Sequence, residues 1–332
     1  MLHALSRFGR RRTLQGGAAA VVVLGLLLWW VLPLGDEQPT GSLTFSTGVR
    51  SGVYQRYGQR LEGALAKDMP KVSIRLQNSE GSQQNIERVA TGKADFTIAT
   101  VDAVATYLQS GKPGGERLRG CVRLYDDYVQ LVVPRGSDIQ QVSDLRGKRV
   151  GVGQKGSGVL LVADRLMTAA GVDPSQDITP VEAGIDTMPQ RLVDGELDAF
   201  FWSGGLPTGA VEELSQRLDI RLVPLESPLI SRLQAAGGST RHYRSAVIPA
   251  DAYDHAQRGE AVQTVAVANL LITTDRTDPR MTEAFTRTVI DSRDRIGREV
   301  HAAQLVDLRT AIYTDPLELH EGARRYYRSS KP

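Results

Sequence analysis

From residue 43 onward, short apolar runs alternate with helical patterns through two successive series, and this alternation confines the 332-residue chain to an α/β architecture. Leu43 to Thr47 reads as a strand, and Val53, Tyr57, Leu61, Ala64 and Leu65 then fall at i, i+4, i+8, i+11 and i+12, one face of a helix. Val72 to Gln77 alternates as a strand, Ser82 to Thr91 is helical and closed by Gly92, and Ala94 to Thr100 is again a strand. The second series opens with a strand over Arg149 to Gly153. Val159, Ala163, Leu166, Met167 and Ala170 then give a helical face that Gly171 ends, and Ile178 to Ala183 and Leu197 to Ser203 supply further strands. Strands separated by helices pair mainly in parallel, with helices on both faces of the sheet.

The two series also match in detail. Ser51-Gly52-Val53, at the start of the first helix, recurs as Ser157-Gly158-Val159 at an offset of 106 residues. Gly92-Lys93-Ala94-Asp95 recurs as Gly195-Glu196-Leu197-Asp198 at an offset of 103, each time between a helix end and an apolar strand. Order, spacing and context are kept together, which favours two similarly built lobes over ordinary strand-and-helix grammar. After about Ala246 the pattern changes to a long apolar strand, Thr264 to Thr273, and helices over Pro279 to Gln304 and Pro316 to Tyr327. This tail is too small for a third domain and is expected to return to the first lobe. The expected division is residues 1–40 as a leading segment, 41–130 with 247–332 as lobe 1, and 131–246 as lobe 2.

The leading segment contains 23 residues without a charge, Thr13 to Gly35, whose core Ala18 to Leu34 is almost continuously apolar. At 1.5 Å per residue that core reaches about 26 Å, enough with its flanks for a hydrocarbon layer of about 30 Å. Arg7, Arg10, Arg11 and Arg12 precede it and Asp36-Glu37 follow. That asymmetry predicts a cytoplasmic N-terminus, a single-pass membrane anchor, and an extracytoplasmic domain from about residue 36. A cleaved signal peptide is the competing reading, but its apolar region is shorter and ends in a small-x-small site that Leu32-Pro33-Leu34-Gly35 does not offer. No second run of this length occurs, which excludes a channel or permease.

Outside the leading arginines the charge is close to balanced, since the whole chain carries a formal net charge of only +2, so no nucleic acid partner of the basic-patch kind is expected. The single cysteine, Cys121, excludes an internal disulfide and any Cys-rich metal site, and in its apolar strand it reads as an inert buried thiol. The five histidines form no H-E-x-x-H, and neither G-x-S-x-G nor a Walker A sequence occurs, so neither catalytic nor metal-binding residues are assigned. Asp95 and Asp198 resemble a carboxylate pair, but both start strands, where structural capping is the simpler role.

Three glycine turns remain: Thr47 to Gly52, Asn78 to Ser82 and Gly153 to Gly158. Each lies between a strand and a helix, where unpaired N–H groups and the positive end of a helix dipole favour a small anion. Any one is an ordinary capped loop; three in two lobes point to a shared cleft at the C-terminal strand edges. Gly151-Val152-Gly153-Gln154-Lys155-Gly156 is also a literal dinucleotide fingerprint, with Glu182 as a ribose acceptor. Its position mid-chain, and its absence from the first strand-helix turn, weigh against a dinucleotide enzyme, and no cofactor is expected.

Several segments, taken together and in order, resemble one family. They are Phe45-Ser46-Thr47-Gly48 with Ser51-Gly52-Val53-Tyr54 and Gly58; Gly81-Ser82 with Asn85; Gly92 with Asp95-Phe96 and Ile98; Asp144-Leu145 with Gly147-Lys148, Val150, Val152-Gly153 and Gly156-Ser157-Gly158; Asp194-Gly195 with Asp198 to Phe201; and Leu319-His320, Gly322-Ala323 and Tyr326-Tyr327. From about Ser42 to Tyr327 the chain is similar to the TAXI family of TRAP-transporter solute-binding proteins. That resemblance implies a two-lobed, type II periplasmic-binding-protein fold, α/β with mainly parallel sheets flanked by helices. It also implies capture of a small organic anion, a carboxylate or an amino acid such as glutamate, for delivery to a TRAP permease driven by an ion gradient. Ser51 stands where the family usually has Gly, Val101-Asp102 where it has Ser-Asp, and Glu80 where it has a small residue, which adds a negative charge beside the expected anion site.

The ligand-binding residues expected are Ser51, Gly52 and Tyr54 at the first helix start and Gly81, Ser82 and Asn85 at the second. Gly156, Ser157 and Gly158 come from lobe 2, with Phe201 and Ser203 on the wall. Tyr54 and Phe201 also fit core positions. Asp126 or Asp127 would receive an amino group if the ligand is an amino acid, against the plainer reading of solvated turn acids. Hinge strands are expected over Asp127 to Pro134 and Tyr243 to Pro249. A membrane-tethered sensor domain would share this fold and site.

Overall fold

The computed structural model describes residues 38–330. The charge-free run Thr13 to Gly35 that the sequence assigns to a membrane anchor lies outside them; among the described residues no helix is long and apolar enough to cross a membrane. Strands β1 (Gly41–Ser46), β2 (Val72–Gln77) and β3 (Phe96–Thr100) alternate with helices α1 (Val53–Asp68), α2 (Ser82–Ala90) and α3 (Val101–Gln109). Strand β4 (Leu118–Pro134) leads to β5 (Arg149–Gly151), α4 (Gly158–Ala169), β6 (Thr179–Val181), α5 (Met188–Val193), β7 (Ala199–Gly204), α6 (Gly209–Arg217), β8 (Ile220–Val223) and α7 (Ser227–Ala235). Then come β9 (Arg244–Ile248), β10 (Val262–Thr274), α8 (Pro279–Asp291) and α9 (Glu321–Ser329), with short helical turns between.

The strands form one sheet in the order β2-β1-β3-β10-β4-β7-β5-β6, with β8 and β9 pairing onto β4 and β10. The sheet is mixed rather than mainly parallel. Its two ends, β2-β1-β3 and β7-β5-β6, are parallel as the strand-helix alternation requires. The strand pairings through β4 and β10 are antiparallel, apart from an isolated parallel bridge between Gly120 and Leu319. These two strands are long because each serves both halves of the molecule. Leu118 to Tyr128 of β4 span its pairing with β10, and Tyr128 to Pro134 its pairing with β7 and β8, Tyr128 being shared. Strand β10 pairs over Val262–Ala266 with β9 and over Asn269–Ile272 with β3.

The second crossing therefore lies in β10, near Ala266 to Ala268, and not in Tyr243 to Pro249, which the sequence reading took for a hinge. That segment is an edge strand, and the turn Asp254–Gln257 after it packs on β8 and α6. Residues 247–265 consequently sit with the half built on β5 to β8, although the sequence division gave them to lobe 1.

The helix expected over Pro279 to Gln304 stops at Asp291 and resumes only as Arg293–Gly297 and a 3-10 turn, His301–Leu305. Gly297 permits the fold-back, since a Cβ there would lie 2.2 Å from Gln304 Cγ. The last helix starts at Glu321 rather than Pro316, with His320 Nδ1 accepting from the Gly322 N–H.

Two apolar clusters hold the sheet. One packs Phe45, Tyr57 and Leu61 against Phe285, Val289 and Tyr326 of the tail, with Phe96 stacked on Phe285 at 4.2 Å. Side chains as fully enclosed as Phe45 and Leu61 each contribute roughly 1.5–3 kcal/mol. The other joins Val150, Leu166, Phe200 and Leu222 with Ile86 and Val104 of α2 and α3.

The paired aspartates play the same structural part in each half. Asp95 accepts from the Thr44 N–H at 2.7 Å, and Asp198 accepts from the Arg149 N–H at 2.7 Å. Each thereby ties its strand start to the parallel neighbour. Cys121 is fully buried, which pushes its thiol well above the usual range and leaves it unreactive.

Candidate functional site

Four helix starts converge where the two halves meet: α1 after Gly52, α2 after Gly81, α3 after Thr100 and α4 after Ser157. They surround a cavity of about 60 Å³ whose wall is shared by both halves. Gly52, Tyr54, Gly81, Ser82, Ser157, Gly158 and Ser203 line it, as do Thr100, Asp127, Gln154 and Trp202. Val49, Val53, Val159, Ile185 and Met188 make much of the remaining wall apolar.

Several contacts close the halves over this space. The Gln84 N–H donates to Gly156 O at 3.1 Å, Gln83 Nε2 to Ser157 O at 2.7 Å, and Gln154 Nε2 to Glu80 O at 3.1 Å. At the opposite rim the Ser51 N–H and hydroxyl both reach Asp186. Gly81 has φ +127°, and a Cβ there would lie 3.2 Å from Ser157 Cα, so the two turns meet only because this residue is glycine. Beyond the pocket, Arg165 of α4 donates to Asp102 of α3 at 3.0 Å, to Tyr243 Oη at 2.9 Å, and to Thr106 and Ser239 hydroxyls at 2.6 Å each.

The expected residues divide by place. Seven of the eleven line the pocket, as named above, and Ser51 stands at its rim. Gly156 belongs to a separate outer basin with Glu80, Lys155 and Glu182. Asn85 is wholly buried beneath the pocket. It donates to Thr47 O at 2.6 Å and Ile98 O at 3.0 Å and accepts from Ser46 Oγ at 2.6 Å, which spends its amide on joining α2 to β1 and β3. Phe201 is enclosed in the apolar core, and the wall position of β7 falls instead to its neighbour Trp202.

Asp126 and Asp127 are not solvated turn acids. Both sit within β4, where successive side chains point to opposite faces. Asp126 pairs with Arg123 at 2.8 Å and with Arg244, whereas Asp127 is 4% exposed and lines the pocket. One of its oxygens accepts from Asn269 Nδ2 at 2.8 Å. Asn269 Oδ1 in turn accepts from Tyr54 Oη at 2.5 Å, Tyr54 Oη lies 3.1 Å from Ser82 Oγ, and Ser82 Oγ accepts from the Thr100 N–H at 3.1 Å. Burial pushes the Asp127 carboxyl up to about 7; the Asn269 hydrogen bond opposes this and nearby Asp102 adds to it.

The buried hydroxyls of Thr100 and Ser203 on the same wall have no hydrogen-bond partner among the described residues. Asn269, Thr100 and Trp202 escaped the sequence reading altogether. The only local signal available was a polar Asn inside the apolar run of β10.

Similar solved structures share the architecture. A putative L-cystine ABC transporter protein from Listeria monocytogenes is 13% identical, with 81% of this chain and 99% of that chain covered and a TM-score of 0.50. A Xanthomonas citri protein bound to ATP is 12% identical over 87% and 94% of the two chains, at 0.51. An ancestral arginine-binding protein bound to arginine is 15% identical over 79% and 99%, also at 0.51. At such identities the likeness is one of fold, an α/β, two-lobed periplasmic-binding-protein-like architecture with a mixed sheet flanked by helices. A family model aligns from residue 45 to residue 330, and on that match the chain belongs to the NMT1-like family.

Proposed function

We propose that this protein is an extracytoplasmic solute-binding receptor that captures a small molecule between two lobes and hands it to a membrane permease. The observation that carries this reading is the pocket, whose wall comes from both halves and whose rim is closed by hydrogen bonds between them. A ligand touching both lobes stabilises the closed form by its differential contacts, and a permease reads that closed shape. In this reading the lobes part where β4 and β10 cross, near Asp127 and Val267. Ser82 and Gly158 then offer N–H groups, and Ser82 and Ser157 hydroxyls, to a carboxylate; Gly52 and Gly81, whose N–H groups go to Val49 O and Ser79 Oγ, keep the wall open, with Tyr54 and Ser203 beside them. A permease of TRAP type rests on the motif resemblance running from Phe45 to Tyr327. Anchoring through Thr13 to Gly35 rests on the charge pattern, and retention of the chain in carbonate-washed membranes tests it.

The receptor reading is tested by melting the full-length protein in detergent against amino acids, dicarboxylates and keto acids. A ligand at about 100 times its Kd adds about 2.7 kcal/mol. Cysteines placed at Ser51 and Asp186, which face each other across the rim, should cross-link faster with that ligand present. A flat melting response across the panel, with cross-linking indifferent to every compound, would overturn the receptor reading.

A further inference from the structure

We infer that the pocket takes a ligand bearing a protonated amino group and no net negative charge, with Asp127 as the partner of that amino group. This deepens the receptor reading and rests on it. Asp127 is held out of water with Asn269 on one oxygen, while its other oxygen takes no hydrogen bond among the described residues. No lysine, arginine or histidine lines the pocket among those residues, whereas Glu80 does. The titratable groups around Asp127 are Tyr54, Tyr125 and Asp102, none of them positive, and Asp102 is already paired with Arg165. The nearest strand arginines, Arg123 and Arg244, go to Asp126 on the opposite face.

A carboxylate in such a place is costly unless a ligand supplies the missing charge. Four helix starts bring about half a positive unit each, roughly offsetting Asp127 and Glu80. The charge-matched occupant is then a zwitterion, its amino group against Asp127 and its acidic group at the helix starts. A dianion would set a second negative group against Asp127 with no side-chain cation to receive it. Val53, Val159, Ile185, Met188 and Trp202 complete the wall and fit an aliphatic or aromatic substituent better than an acidic one.

The test compares full-length wild type with Asp127→Asn by calorimetry, after circular dichroism and a ligand-free melt have shown the variant folded. The probes are the neutral L-amino acids, short aliphatic amines, glutamate, succinate, and the deaminated counterpart of whichever amino compound binds best. The expected result is tightest binding by an amino compound, with Asp127→Asn weakening it on the order of 100-fold. The deaminated counterpart should bind the wild type comparably weakly and be little affected by the substitution. Tightest binding by succinate or glutamate, or an amino compound held equally well by Asp127→Asn, overturns the inference and leaves the receptor reading standing. No response from any compound removes both. Should the variant not fold, wild-type affinity between pH 5 and 8 decides: it should fall on acidification as Asp127 takes up a proton, and a flat profile refutes the proposed partner.

Discussion

Arg165→Met would cut a buried ion pair that joins α3 to α4. The Asp102 side chain is 2% exposed and that of Arg165 16%, with their charged atoms 3.0 Å apart. The guanidinium also holds Tyr243, Thr106 and Ser239, so the substitution strips four acceptors at once. Asp102 would keep the Tyr243 hydroxyl at 2.5 Å, while its other oxygen already has no partner. Removing one member of a buried pair costs about 3–5 kcal/mol, because the remaining charge is left uncompensated. In a chain of this size, with an unfolding entropy of about 2.1 cal/mol/K per residue, that is roughly 4–8 °C in melting temperature.

Adding Asp102→Asn to Arg165→Met removes the orphaned charge, so the double variant should be at least as stable as Arg165→Met alone. A cycle read by urea unfolding should give a coupling of about 2 kcal/mol or more. Because the pair bridges the two halves, Arg165→Met should also weaken ligand binding by lowering the closed population. A cost below about 1 kcal/mol for the single variant, or simple additivity in the cycle, would refute the claim that this pair holds the halves together.

Asp127 predicts a distinctive pH dependence of the ligand-free protein. Its carboxyl is raised to about 7 when folded, so between the unfolded value of about 3.9 and 7 the folded chain binds more protons than the unfolded one. Stability from this group is present at low pH and is lost as pH rises through that window, by up to about 4 kcal/mol. Denaturant titrations of Asp127→Asn should show that slope flattened, and an unchanged slope would mean that the carboxylate is solvated. Ser157 is 4% exposed and touches Gly81, so Ser157→Leu should do more than fill a surface turn. It should hold the halves apart and abolish ligand-induced stabilisation in the melting screen. Ser157→Ala, losing the helix cap to the Leu160 N–H and one hydroxyl of the pocket, should cost about 0.5–2 kcal/mol of stability and weaken binding without abolishing it.

The strand-helix alternation, the glycine turns and the capping aspartates were legible in the sequence because each is a local matter. Apolar period, turn chemistry and the need to cap a strand or helix start act within a few residues, and the repeated Gly92–Asp95 and Gly195–Asp198 segments do the same work in both halves. What stayed hidden depends on partners far along the chain. Nothing near Asp126 and Asp127 says which of them meets an arginine and which meets a pocket. The answer comes from the pairing of β4 with β10, which brings Asn269 to Asp127 across 142 residues. Likewise Asn85 and Phe201 have side chains that suit a ligand site, and only the packing beneath the turns commits them to the core. The sequence by itself determined the elements and the chemistry of their ends; the tertiary structure decided which faces meet, because strand register and lobe closure are long-range pairings with no local signature.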